Sequence, residues 1–155
     1  MNINKITLEN CLGKVSDERI KTIQSTVGVR LPKSFIEIVR GCDGGTPIAC
    51  DFEYTDQFKK SKRIDCIGAF LNLNPNEYGD FLSTFLNSPE FLPEGLIAFV
   101  ENGGGDYICF DYRQDKNNPD PPVIYWNHEA DVGKEVSFVT KNFEEFLGML
   151  KKPEN

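Results

Sequence analysis

A single histidine, His128, and a single tryptophan, Trp126, occur among 155 residues. That scarcity excludes imidazole pairs, histidine-based triads and multi-histidine metal sites. No stretch approaches the roughly 18 apolar residues of a membrane-spanning helix, and the opening Met1-Asn2-Ile3-Asn4-Lys5-Ile6 has no apolar run of the kind a secretion signal carries. A cytoplasmic address is the expectation. The five cysteines, Cys11, Cys42, Cys50, Cys66 and Cys109, contain no Cys-x-x-Cys pair, and their odd number and wide spacing read as reduced, mostly buried thiols. Positive charge is also short: 17 Lys and Arg against 24 Asp and Glu leave a net charge of −7, which disfavours a phosphate backbone as direct ligand.

What is present describes a globular chain of one domain, residues 1–155, with 12 Phe and 5 Tyr to fill its core. The acid is unevenly placed. Residues 101–135 hold eight acids and three bases, so five of the seven excess negative charges fall in that stretch, where Tyr107, Phe110, Tyr112, Tyr125 and Trp126 are interleaved with them. Acid mixed with aromatic side chains is what a surface for a basic protein partner requires. The opposite run, Lys59-Lys60-Ser61-Lys62-Arg63, reads as a solvated loop.

Periodicity gives the order of elements. Ser16 caps a helix whose Ile20, Ile23 and Val27 share one face before Gly28 stops it; Pro32 at the first position opens a second, with Phe35, Ile36 and Val39 inward and Gly41 at its end. Cys42-Asp43-Gly44-Gly45 forms a tight turn. Alternation over Ile48, Cys50, Phe52 and Tyr54 predicts a strand, and Ile64 to Leu71 a second one, with Gly68 at a bulge or close approach. Pro75 opens a helix carrying Tyr78, Phe81, Leu82, Phe85 and Leu86, which stops before Pro89. Leu96–Val100 and Tyr107–Tyr112 pair around the turn Asn102-Gly103-Gly104-Gly105, Pro122–Trp126 follows as a strand, Val136 to Val139 as a short one, and Asn142 with Glu145 caps a helix of Phe143, Phe146, Leu147 and Leu150. The expected fold is α+β, a mostly antiparallel central sheet packed against about four helices.

Chemistry finds little support. The triple glycine precedes a strand, whereas a phosphate loop opens a helix. His128, Glu129 and Asp131 lack a metal-ligand spacing, Asp115 to Asp120 lacks the glycine of a calcium loop, and no Gly-x-Ser-x-Gly elbow occurs. Asp106 and Asp111 sit five apart on one predicted strand, so they fall on opposite faces and form no acid–base pair; the strand reads as part of a half-exposed sheet.

Three motifs carry a resemblance. Leu31-Pro32-Lys33-Ser34-Phe35 through Cys42-Asp43-Gly44-Gly45, then Leu96 to Val100 with Gly104-Gly105-Asp106-Tyr107 and Phe110-Asp111, then Val123-Ile124-Tyr125-Trp126-Asn127-His128-Glu129 resemble, in order and spacing, the SUKH superfamily. The resemblance is to its branch of fungal cell-wall-assembly regulators and bacterial toxin-immunity proteins. Cys42-Asp43 departs from the Asn common before the glycines, the glycine run is unusually long, and residues 48–87 match no motif. The resemblance implies an α+β domain with no enzymatic activity and no cofactor. Its bacterial members bind a toxin domain, often a nuclease, and block it.

The leading expectation is therefore a non-catalytic immunity protein that neutralises a cognate basic toxin, with Asp106, Asp111, Glu129 and Asp131 supplying charge and Tyr112, Tyr125 and Trp126 acting as aromatic anchors. Neither nucleic acid nor membrane is an expected partner. A regulatory adaptor in cell-wall or signalling pathways is the alternative, and a carboxylate-based hydrolase is a third reading.

Overall fold

The computed structural model describes residues 2–3, 6–77 and 79–154. Helix α1, Asp17–Val27, begins where Ser16 Oγ accepts the Arg19 N–H at 3.1 Å, and it ends at Gly28, whose φ of 78° is the left-handed conformation that closes the last turn. Helix α2, Lys33–Gly41, starts one residue after the expected point, with Pro32 as its cap. In the turn that follows, Asp43 is buried and its carboxylate accepts the N–H groups of Leu73 (2.7 Å) and Asn74 (3.1 Å). Burial nevertheless pushes the Asp43 carboxyl above its ordinary value, outweighing those two bonds.

Strands β1 (Asn2–Ile3), β2 (Ile6–Glu9) and β3 (Thr46–Pro47) form a small antiparallel sheet. A hairpin of β4 (Asp51–Asp56) and β5 (Ser61–Cys66) follows, with β4 running alongside the last strand of the main sheet. Both strands depart from the sequence reading. Ile48 is exposed and precedes β4, while Phe52 is its buried member. The cationic run is only half a loop: Lys59 and Lys60 lie in the exposed turn, but Ser61, Lys62 and Arg63 belong to β5; Asp56 Oδ1 fixes the turn by accepting the N–H groups of Phe58 and Lys59, each at 3.0 Å. Ile67, Phe70 and Leu73, read partly as strand, are buried in the core, and of the expected strand beyond Cys66 only a β-bridge from Phe70 to Val100 forms. Gly68 does mark a close approach, since a Cβ there would lie 3.2 Å from the Glu101 carbonyl oxygen.

Helix α3, Phe81–Asn87, starts six residues after Pro75 because Asp80 makes a reciprocal capping box with Ser83. Tyr78 lies outside the described residues, and Leu86 is exposed. The main sheet is an antiparallel meander in the order β6 (Leu96–Glu101), β7 (Tyr107–Asp111), β8 (Val123–Trp126) and β9 (Val136–Thr140). Helix α4, Phe143–Met149, closes the chain, with Asn142 accepting the Glu145 N–H at 2.8 Å.

The sheet is covered on both faces, not half-exposed. One face packs Phe99, Ile108, Phe110 and Tyr125 under α1, α2 and α4. The other packs Cys109, Ile124 and Trp126 against Phe91 and Leu92, which directly follow the short 3-10 turn Ser88–Glu90 after α3. The core centres on Phe35, whose ring meets those of Phe70, Phe81, Phe99, Phe110 and Phe143 at centroid distances of 5.4 to 6.3 Å.

The expected reduced thiols are also corrected. Cys11 pairs with Cys42 and Cys50 with Cys66, in both cases with Cα atoms 4.9 Å apart, leaving Cys109 as a buried free thiol. Sequence distance hid both pairs, since connectivity cannot be deduced from spacing. Disulfides persist in oxidising compartments, which sets these bridges against the expected cytoplasmic address. No helix among the described residues is long and apolar enough to cross a membrane.

Candidate protein-binding site

The strand register splits the acidic stretch between two ends of the main sheet. Asp106, Tyr125, Trp126, Glu129 and Asp131 gather at the end formed by the β6–β7 and β8–β9 turns. Asp111 and Tyr112 lie at the opposite end, about 17 Å away at the rise of an antiparallel strand. There Asp111 forms an ion pair with Arg113 at 2.9 Å, so it contributes little net charge.

The two turns at the acidic end are held together from inside. Asn102 Oδ1 accepts the N–H groups of Gly104 (2.8 Å) and Asp106 (3.1 Å), which shapes the first turn, and Gly103 and Gly105 take the positive φ values it needs. Gly105 must also be small, for a Cβ would lie 2.9 Å from the His128 ring. Asp106 bridges to the second turn: Oδ1 accepts the His128 N–H at 2.9 Å and faces its Nδ1 at 2.5 Å, while Oδ2 accepts from the Tyr125 hydroxyl at 2.5 Å. Asp65 from β5 meets the same hydroxyl at 2.6 Å, and Asn102 Nδ2 donates to Asp65 at 2.9 Å. Tyr54 stacks on the Tyr125 ring with centroids 4.4 Å apart.

Tyr125 is thus the hub of three segments. Burial, and then the Asp106 and Asp65 carboxylates beside it, push its hydroxyl well above the ordinary range, so it stays protonated, with its one hydrogen directed at that pair while its oxygen accepts from Asn102 Nδ2 at 3.0 Å. Two carboxylates approach one another here, and their oxygens accept from internal donors, Tyr125, Asn102 and the His128 N–H. Among the described residues, Cys50, Asp51 and Cys66 form the one group with metal-ligand proximity, and both sulfurs are committed to the disulfide.

The aromatic anchors need correction. Tyr112, Tyr125 and Trp126 are all buried: the Tyr112 hydroxyl donates to the Arg30 carbonyl at 2.7 Å, and Trp126 packs against Phe91 and Tyr107 with its Nε1 unpartnered among the described residues. They are covered because both sheet faces carry a layer. The Asp106 side chain is only 15% exposed and acts as a brace, whereas the Glu129 side chain is 82% exposed and Asp131 is also at the surface. Glu101, Glu135 and the fully solvated Val132 complete this end. Asp65 was missed because nothing local to it signals a contact with residues 37 and 60 positions further on.

The hydrogen bond to Asp106 holds the His128 imidazole above its ordinary value, with Glu129 adding to it. A base whose pKa rises on folding adds stability that is fully present below its unfolded pKa, near 6.5, and is lost as pH rises through the higher folded value. Thermal melts from pH 6 to pH 9 are expected to show wild type losing its advantage over His128→Asn. An advantage that grows with pH refutes the brace.

The family model for the SMI1/KNR4 family (SUKH-1) matches residues 14–149. No curated protein matches the chain.

Proposed function

Because the chain belongs to the SMI1/KNR4 family (SUKH-1), whose members have non-catalytic binding or regulatory roles, we propose that it is an immunity protein that covers the active site of a cognate toxin. The observation that carries this reading is the solvated acidic turn Glu129–Glu135, held on a braced sheet end. A nuclease surface is cationic because it must hold a phosphate backbone, and an acidic protein steered by that field occupies it quickly. Glu129 and Asp131 supply exposed charge, Asp106 positions their turn, and Val132 offers an apolar contact. Asp111 at the far end has no part in this contact.

Co-expression with any toxin domain that a neighbouring gene encodes tests the reading. Growth is expected to be rescued, and complex formation to weaken as salt is raised. The double variant Glu129→Gln/Asp131→Asn is expected to bind about tenfold more weakly, a loss of about 1.4 kcal/mol, with an unchanged melting temperature. Absence of rescue removes the immunity role, and full affinity in the double variant removes the acidic turn as its means.

A further inference from the structure

Strand β5 is an edge. Among the described residues it pairs with β4 alone, and the register alternates which backbone groups enter that ladder. Ile67 donates to the directly opposite Cys50 carbonyl at 3.0 Å, which assigns the ladder bonds to the pairs Phe52/Asp65, Tyr54/Arg63 and Asp56/Ser61. Asp51, in the other phase, exchanges both backbone bonds with Lys151 on the far side of β4, at 2.9 and 2.8 Å. The N–H and C=O groups of Lys62 and Ile64 therefore point away from β4, and none of the described residues meets them.

The side chains along this edge are unusual for an acidic protein. Lys59, Lys60, Lys62 and Arg63 are exposed at the hairpin's tip and edge, and Ile64, 75% exposed, lines a groove of about 500 Å³ whose charged members are mixed: Asp51, Glu53 and Glu154 with Lys151 and Lys152. Of the neighbouring acids, Glu53 approaches Lys62 at 4.0 Å, Asp56 lies within electrostatic reach of Lys59 and Arg63, and Asp65 is tied to Tyr125, so the four cations of residues 59–63 are only partly offset. Lysine on an open edge opposes pairing with a like strand. The same charge leaves one class of strand favoured, an acidic one.

We infer that β5 is a docking edge for an extended acidic segment of a partner protein, added as a third strand beside β4 and β5. Its backbone bonds the outward groups of Lys62 and Ile64, its carboxylates meet the lysines, and an apolar side chain covers Ile64. This surface does not involve Glu129 or Asp131, so its test is independent of the immunity reading.

The probe is a short peptide alternating glutamate and valine, titrated into the full chain while backbone amide resonances are followed; its lysine–valine counterpart is the control. The acidic peptide is expected to shift Lys62, Arg63 and Ile64, and the lysine peptide to shift nothing. Binding is expected to weaken about tenfold or more in Lys59→Glu/Lys60→Glu/Lys62→Glu, and to vanish in Ile64→Pro, which removes an N–H that the β4 ladder does not use. The triple variant decides the matter if Ile64→Pro loses its native circular dichroism. Shifts confined to other surfaces, or full affinity in the triple variant, overturn the proposal. A dimer of the peptide-free protein that the triple variant dissociates overturns it too, by making the occupant a second copy.

Discussion

Reducing the two disulfides is expected to lower the unfolding free energy by about 3 to 4 kcal/mol for each bridge. The magnitude follows from chain entropy, since cutting a cross-link frees more conformations in the unfolded chain the longer the loop it closed. Cys11 and Cys42 are 31 residues apart and Cys50 and Cys66 are 16 apart, so the first bridge is the larger contributor. Urea unfolding with and without a dithiol reductant measures the sum, and thiol titration of the oxidised native protein after unfolding should find one free thiol, Cys109. Coincident curves in the two conditions would show that the bridges contribute nothing to the fold. The outcome also bears on address: a chain that works in a reducing compartment must be stable as five thiols.

Phe35→Ala is expected to cost about 4 kcal/mol, the usual range for emptying a phenylalanine site in a packed core. The ring is fully buried and touches five other phenylalanines contributed by α3, α4, two strands of the main sheet and the chain around Phe70. A hole there cannot be closed by one neighbour moving, because each neighbour is held by its own element. At about 2 to 4 °C per kcal/mol for a chain of this size, calorimetry should record a fall of about 12 °C. Phe35→Leu keeps most of the volume and should lose less than half as much; equal losses for the two variants contradict the packing account.

Where one element decides its own conformation, the sequence was readable. Ser16 and Gly28 bound α1, Asn142 starts α4, and the glycines after Asn102 make the hairpin, because in each case the signal is a cap or a positive φ within a few residues of its effect. The errors lie where distant contacts decide. Ile67 and Phe70 look like a continuation of one strand, yet after Cys66 the chain leaves β4 and bridges to β6 at Phe70–Val100, which leaves β5 on the lysine run. Asp80 overrides Pro75 as the start of α3 because it bonds both Ser83 and Asn76. Of the residues the sequence offers for a site, Asp106, Glu129 and Asp131 lie at one end of the main sheet. Trp126 reads as a surface residue because the layer that covers it, built around Phe91 and Leu92, has no periodic signature, while Tyr112 and Tyr125 are buried in the main core by distant helices and by the β4–β5 hairpin.

The internal brace from Asp106 to His128 and Tyr125 has a consequence for how fast and how firmly anything binds there. A turn already fixed before encounter surrenders little conformational freedom when a partner arrives, so the entropic penalty of association was met once, during folding. Docking then proceeds nearly as two rigid bodies, and changes to individual contacts should register mainly in how long the complex lasts, while changes to overall charge register in how quickly it forms.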